Sequence, residues 1–314
     1  MTLQFDTPIL FLIFNRPDIT QQVFNKIKEI KPRYLYIAAD GARPGIKEDE
    51  INCKLTRAII DQVDWDCELI TLFREKNLGC GFGVCSAISW FFEQVEEGII
   101  LEDDCVPDLS FFPFCKELLS NYREDESIFL ITGTNVQNGI VRGKASYYFS
   151  NYPVTWGWAS WRRAWKHFVY EIPDFHLSFN SGDLDHAFQS PQEKSYWRKK
   201  VHISVIEKKN IWDYQWWFAA WKNKGITITP NTNLILNLGF RNTGSHKFLY
   251  DSIREPIISK PIQFPIIHPN NKVITLEADQ FTFKSIYSHS WSRIIRLTKE
   301  NGIISMLRSA FKGF

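Results

Sequence analysis

Three acids in a row, Glu102-Asp103-Asp104, follow the short apolar run Gly98-Ile99-Ile100-Leu101. Such a run suits a strand covered on both faces, so the acids stand where a buried strand ends. Side chains alternate along a strand, which predicts Glu102 and Asp104 on one side and Asp103 on the other. That spacing suits a hard divalent cation beside a ligand hydroxyl. Mg²⁺ and Mn²⁺ prefer oxygen ligands, and Mg²⁺ commonly keeps one or two protein carboxylates while water and substrate phosphates complete its shell. The plainer alternative is that the acids solvate a strand end, with Asp108 as the N-cap of the next helix.

A second candidate for chemistry is Asp213, in the first turn of a helix predicted within NIWDYQWWFAAWKNKG, residues 210–225. Helical spacing puts it in register with Trp216, Trp217 and Ala220. Indole surroundings tend to raise a carboxyl pKa and make it a better base; otherwise Asp213 is a simple N-cap. A third stretch, NLGFRNTGSHK at 237–247, joins Gly239 and Gly244 to the anion-binding groups of Arg241, Ser245, His246 and Lys247. His246 can equally be a loop residue with no ligand.

The elements that would position these groups come in a regular series. Pro8–Phe14, Arg33–Ala39, Cys67–Phe73 and Gly98–Leu101 read as strands, and helices are expected after Asp18, within Glu48–Val63 and over Gly83–Val95. Asp18 with Gln21 suggests a capping box. Strand and helix alternating in this way predict a parallel α/β sheet covered on both faces, with ligands beyond the carboxyl ends of the strands. Arg16, Asp40, Arg74 and Glu102 to Asp104 all fall at such ends. The glycines of NLGCGFG do not form a dinucleotide fingerprint, which belongs in the first strand-to-helix turn, here FNRPDI. Gly81 among them would let backbone approach a nucleotide, or would simply loosen a turn. After a helix to about Tyr122 and a strand at Ile128–Thr132, the strands become short and aromatic from Tyr147, and residues 175–194 show no clear pattern.

Composition narrows the function. The 314 residues can bury a full core, as one large domain or two lobes. A net charge of +2, from 37 basic and 35 acidic residues, leaves no nucleic-acid footprint. Nine of the 12 Trp crowd between Trp156 and Trp221, a density that suits packing against sugar rings or ordinary core filling. Trp156 and Trp158, in a Gly-containing loop, are the two singled out for an acceptor. The six cysteines show no zinc spacing and read as free thiols in a reducing compartment. The N-terminal apolar run is too short for a leader or a membrane span, so a cytoplasmic protein is expected. The tail from Ser285 to Phe314 mixes apolar and basic residues; packing is the favoured reading over a basic surface resting on the inner face of a membrane.

In their order, LFLIFNRPD, YIAADGA, LEDDCVPD, TWGWASW, IWDYQWW and GFRNTGSH resemble nucleotide-sugar transferases of the GT-A fold. The nearest likeness is to family 2-like transferases of bacterial surface glycans, with a more distant one to N-acetylglucosaminyltransferase I. It runs from about Thr7 to about Lys247, and LEDDCVPD matches the metal motif usually called DxD. The resemblance implies a nucleotide-sugar-binding half at 1–108, an acceptor-binding and catalytic half of the same GT-A domain at 109–250, and a partly helical extension at 251–314. It further implies Arg16 near the nucleotide, Asp40 on the base or ribose, Glu102 and Asp103 on the ribose or donor sugar, and Asp104 holding Mn²⁺ or Mg²⁺ on the diphosphate. Asp213 then matches the general base, and Ser245 with His246 the loop over the phosphates. The motif reads Glu-Asp-Asp rather than Asp-x-Asp, a departure that bears on the donor role of Glu102 more than on the metal role of Asp104. The implied activity is metal-dependent, inverting transfer from a nucleoside diphosphate sugar, UDP-linked by family habit, to a glycan or glycolipid hydroxyl. Two rivals stand beside it. A nucleotidyltransferase would carry a glycine-rich basic loop after the first strand; a carbohydrate-binding scaffold would keep the fold without turnover.

Overall fold

The computed structural model describes residues 4–207, 210–239 and 257–288. Four parallel strands, β3 (Glu68–Phe73), β2 (Tyr34–Ala39), β1 (Ile9–Ile13) and β4 (Glu97–Glu102), lie side by side in that order. The sheet continues through β8 (Trp158–Trp161), β6 (Ile128–Thr132), β9 (Ile226–Pro230) and β7 (Tyr147–Ser150). β8 is antiparallel to both its neighbours, β9 runs parallel to β6, and β7 is antiparallel to β9. The expected α/β class is therefore what the chain forms, a mainly parallel sheet with helices on both faces.

The alternation of strand side chains builds two cores from one sheet. Ile9, Phe11 and Ile13 of β1 face a cluster with Leu35, Leu101 and Phe111, while Leu10 and Leu12 face Tyr36, Phe91, Ile100 and Trp158. A third cluster, around Trp197, Trp217 and Trp221, lies between α6 (Phe175–Ser181), α7 (Pro191–Val205) and α8 (Asp213–Lys222). Helix α7 occupies part of the stretch that showed no pattern. It begins at Ser190, whose Oγ accepts the Glu193 N–H at 3.1 Å, and Glu193 in turn accepts the Gln189 N–H at 2.9 Å.

Elsewhere the local signals need correction. Helix α1 (Pro17–Ile30) starts with proline in its first turn, and Arg16 is its N-cap residue without a side-chain cap. The expected capping box does not form, because the Gln21 amide donates to Asn25 at 2.8 Å and Gln62 at 3.0 Å. The expected N-cap role of Asp108 passes to an Asx turn: its carboxylate accepts Ser110 N–H at 2.9 Å and Ser110 O–H at 2.6 Å, one turn before α4 (Phe111–Asn121). A small second sheet had a sequence signal for only one of its strands, within the strand-like stretch 226–238. There β5 (Cys105–Pro107) pairs antiparallel with β10 (Ile235–Asn237), directly behind the acid motif.

Candidate active site

The register of β1 on β4 sets the site. Leu12 lies opposite Glu102, so the chain leaving β1 brings Arg16 alongside residues 103 and 104. The strand ends at Glu102 and the chain turns, which cancels the predicted alternation: Asp103 and Asp104 both face Arg16 instead of opposite sides. Arg16 grips Asp103 with Nε on Oδ2 at 3.1 Å and Nη2 on Oδ1, and reaches Asp104 Oδ2 at 3.1 Å. A guanidinium fork suits two carboxylate oxygens in one plane. Burial alone would lower the Arg16 pKa; the charges of Asp103 and Asp104 outweigh it and hold the group above its usual value. Burial pushes the Asp103 carboxyl up to about 6, with Arg16 pulling against it. Glu102, half-buried beside them, is held well above the usual carboxylate range by burial and then by Asp104, Asp103 and Asp213.

Asp213 is placed through its chain neighbour Asn210, whose Oδ1 accepts the Gly81 N–H. It opens α8, half-buried, and its Oδ1 accepts the Tyr214 N–H at 3.0 Å. Although 109 positions separate Asp213 from Asp104, both raise Glu102 and both act on the thiol of Cys80, which burial and the charges of Glu102, Asp213, Asp104 and Asp103 push up to about 12. The structure thus gathers Arg16, Cys80, Glu102, Asp103, Asp104 and Asp213 at the carboxyl end of β4. Cys80 was not singled out from sequence; its place inside NLGCGFG was the available signal.

Two anticipated donor contacts take other work. The Asp40 carboxylate accepts backbone N–H groups from Leu78 (2.9 Å to each oxygen), Gly79 (2.8 Å) and Gly41 (3.0 Å), so it anchors the Gly-rich turn at the start of α3 (Gly79–Gln94). Acids are favoured at helix N-termini for this reason. Gly81 opens space for protein: its N–H donates to Asn210 Oδ1 at 2.5 Å, and a Cβ there would come within 2.6 Å of the Tyr170 hydroxyl. The Gly-rich turn is thereby fastened to the segment that leads into Asp213. Arg74 likewise points back onto α3, donating to Gly83 O and Ser86 Oγ at 2.9 Å each.

The acceptor candidates separate. Trp158 is fully buried on β8, with its ring stacked on Trp212 at a centroid distance of 6.1 Å and tilted against Trp216 at 6.0 Å. No sugar can reach it, so its predicted contact is withdrawn; residue 158 lies inside the strand that follows the loop. Trp156 is half-buried and remains the candidate, with its carbonyl accepting the Thr134 hydroxyl at 2.7 Å. Ser245 and His246, with Arg241 and Lys247, lie outside the described residues, as does the tail beyond Ser288.

A divalent cation suits this donor set. Asp103 and Asp104 share the Arg16 guanidinium, and Glu102 adds a third carboxyl beside them, a crowding of acids that a cation would offset. No group of three or more metal-ligating side chains converges among the described residues. One or two carboxylates suffice for Mg²⁺ when phosphates supply the other oxygens, and among the described residues Asp104 Oδ1 has the weak donor Cys105 Sγ at 3.4 Å.

No protein-family model matches the sequence, and no curated protein matches it. Among solved structures the chain is similar to S. aureus TarS residues 1–349, with 8% identity and a TM-score of 0.41 over 74% of this chain and 61% of that one. It is also similar to a cytidylyltransferase from Leptospira borgpetersenii serovar Hardjo-bovis, at 13% identity, 67% and 75% coverage and a TM-score of 0.32. A third is CMP:2-keto-3-deoxy-manno-octonic acid synthetase complexed with CTP, at 12%, 63% and 85%, and 0.33. The chain spans 61% of the TarS chain's length. At such values the likeness is one of fold and assigns no activity. No helix among the described residues is long and apolar enough to cross a membrane.

Proposed function

We propose that the protein is a metal-dependent, inverting glycosyltransferase that moves a sugar from a nucleoside diphosphate sugar to a hydroxyl of a glycan or glycolipid acceptor, in the making of a surface polysaccharide or glycoconjugate. The observation that carries this reading is the Arg16 grip on Asp103 and Asp104 at a strand end, together with the fastening of the segment before Asp213 to the Gly-rich turn that Asp40 anchors. Asp104 would hold Mn²⁺ or Mg²⁺, which when bound stabilises negative charge on the leaving diphosphate as a Lewis acid.

The chain's own groups supply the rest. Arg16 fixes Asp103 and Asp104 in one orientation and prevents them from repelling each other apart. Asp40 and Asn210 hold the Gly-rich turn against the segment that carries Asp213. Asp213 takes the proton from the attacking acceptor hydroxyl; a single displacement needs one such base and inverts the anomeric carbon. Trp156 offers an apolar face to the acceptor ring.

Calorimetry with UDP, GDP and CDP, each with Mn²⁺ and with chelator, tests the reading on wild type and Asp104→Ala. One nucleotide should bind, only with the ion, and Asp104→Ala should lose it. If no nucleotide binds under either condition, the transferase reading fails and a non-catalytic carbohydrate-binding protein takes its place.

A further inference from the structure

Strand β7 closes the sheet four strands away from β4, so its outer edge lies roughly 19 Å from the acid cluster, at about 4.8 Å per strand. The segment from Ile267 to Thr275 runs along that edge and is tied at both ends. Ser146 N–H donates to Ile267 O at 2.7 Å, and Thr275 N–H donates to Phe149 O at 2.8 Å. Between the ties lies an open cleft of about 420 Å³, lined by Arg142, Lys144 and His268 and by no carboxylate among the described residues. His268 is already engaged, through Nδ1 with the Tyr147 hydroxyl at 2.9 Å and through Nε2 with Glu117 at 3.2 Å. Arg142 and Lys144 therefore carry the cleft's available charge.

The Arg142 guanidinium and the backbone of its loop are held in place. Arg142 Nε and Nη2 both donate to Gln137 Oε1, at 2.9 and 2.6 Å, and the guanidinium lies over the Phe281 ring at 5.7 Å. Gln137 is fully buried and anchored in turn, its amide donating to Ala278 O at 3.1 Å and Thr282 Oγ1 at 2.8 Å. The backbone of the same loop is pinned by Asn231, which accepts Arg142 N–H at 2.7 Å and donates to Arg142 O at 2.9 Å and Ala145 O at 2.8 Å. Around this fixed positive cleft stand apolar side chains turned to solvent: Val141 is 62% exposed, Ile267 60% and Val273 68%. An anion alone would need the cations and not the apolar rim. A greasy partner would need the rim and not the cations.

We propose that this cleft docks the protein on a membrane by taking the phosphate of an anionic phospholipid, while Val141, Ile267 and Val273 enter the acyl boundary. Buried apolar area and attraction to anionic headgroups together set the strength of such contacts. The proposal is independent of the transferase reading, because vesicle binding is read without donor or acceptor.

The test is flotation of the full chain with phosphatidylcholine vesicles, with and without phosphatidylglycerol. Wild type should float only with the anionic vesicles. Lys144→Gln should weaken binding about fivefold, the worth of one basic residue near such a surface. Val273→Ser should weaken it several-fold, and both positions are exposed, so neither change touches the core. A wild type that ignores both vesicle types overturns the proposal, as do two variants that bind like wild type. Titration with inorganic phosphate separates the other source: binding lost in Lys144→Gln, without flotation, would make the cleft a site for a soluble phosphoryl ligand and remove the lipid.

Discussion

At the end of β4 two carboxylates meet one guanidinium with a third carboxyl beside them, whereas around α8 the rings of Trp158, Trp165, Trp212 and Trp216 meet one another. The two regions touch through Asp213, yet they are held by different forces. In the first, each charge is costly unless something compensates it, so every partner is specific and few substitutions are neutral. In the second, large apolar area is removed from water, and the indole N–H groups of Trp158, Trp216 and Trp217 stay buried without a hydrogen-bond partner among the described residues. Burial of rings tolerates that loss because the area term is larger. A polar group that the fold keeps under strain of charge is therefore a better pointer to function than an aromatic group that the fold keeps dry.

The sharpest way to break this contrast is Asp213→Asn. Transfer should fall by about 10²–10⁴-fold, the usual worth of a general base, while nucleotide binding and the unfolding midpoint stay near wild type. Equal loss of binding and transfer would make Asp213 part of the donor site and not the base. Trp158→Ala probes the other side: it should cost about 3–5 kcal/mol of stability in urea unfolding, whatever it does to activity. Trp158→Phe should cost well under half of that, since its indole N–H has no bond to lose. A Trp158→Ala protein of normal stability that fails to bind acceptor would return residue 158 to the site.

A buried acid far from the cluster sharpens the comparison. Asp279, on the helix Leu276–Thr282, accepts the Asn151 N–H at 3.0 Å, and burial holds its carboxyl up at about 7 against the hydrogen bonds from Ser150 and Asn151. Its folded pKa exceeds the unfolded value, so the folded chain keeps a proton that the unfolded chain releases between about pH 4 and pH 7. Stability should fall as pH rises through that window, by up to about 4 kcal/mol at about 1.4 per unit, and level off above it. Urea midpoints across the window should show this slope in wild type and a flatter one in Asp279→Asn; parallel slopes would assign the titration to another group. The smallest effect belongs to Gly81→Ala. Crowding Tyr170 and Asn210 should cost about 1–3 kcal/mol, and it should slow transfer by shifting the segment before Asp213. Unchanged activity would mean that the Gly-rich turn does not set the base.

Much of the scaffold could be read from pattern alone. Strands β1, β2 and β6 are apolar runs bounded by turn residues, and no competing element fits so few residues of that kind. The acid motif was readable for the same reason, because the run before it ends abruptly. What pattern did not carry was partnership. Asp40 was correctly placed at a strand end, but its partners are backbone groups 38 and 39 positions away, which no local signal encodes. Asp103 was placed on the wrong side because strand alternation was extended one residue past the strand. Strands β5 and β10, three residues each, are too short to show a period.

The small sheet behind the motif has a bearing on how the chain comes into being. Leu238 N–H donates to Asp104 O at 2.8 Å, and Gly239 packs so closely on the Asp104 carboxylate that no side chain fits between them. A ribosome delivers Arg16 and the acids early, but the backing of Asp104 emerges more than a hundred residues later. Domains fold as they are synthesised, from the N-terminus onward. For most of that time the nascent chain displays an acidic strand end without its cover, so the surroundings of Asp104 are completed late in synthesis and all at once.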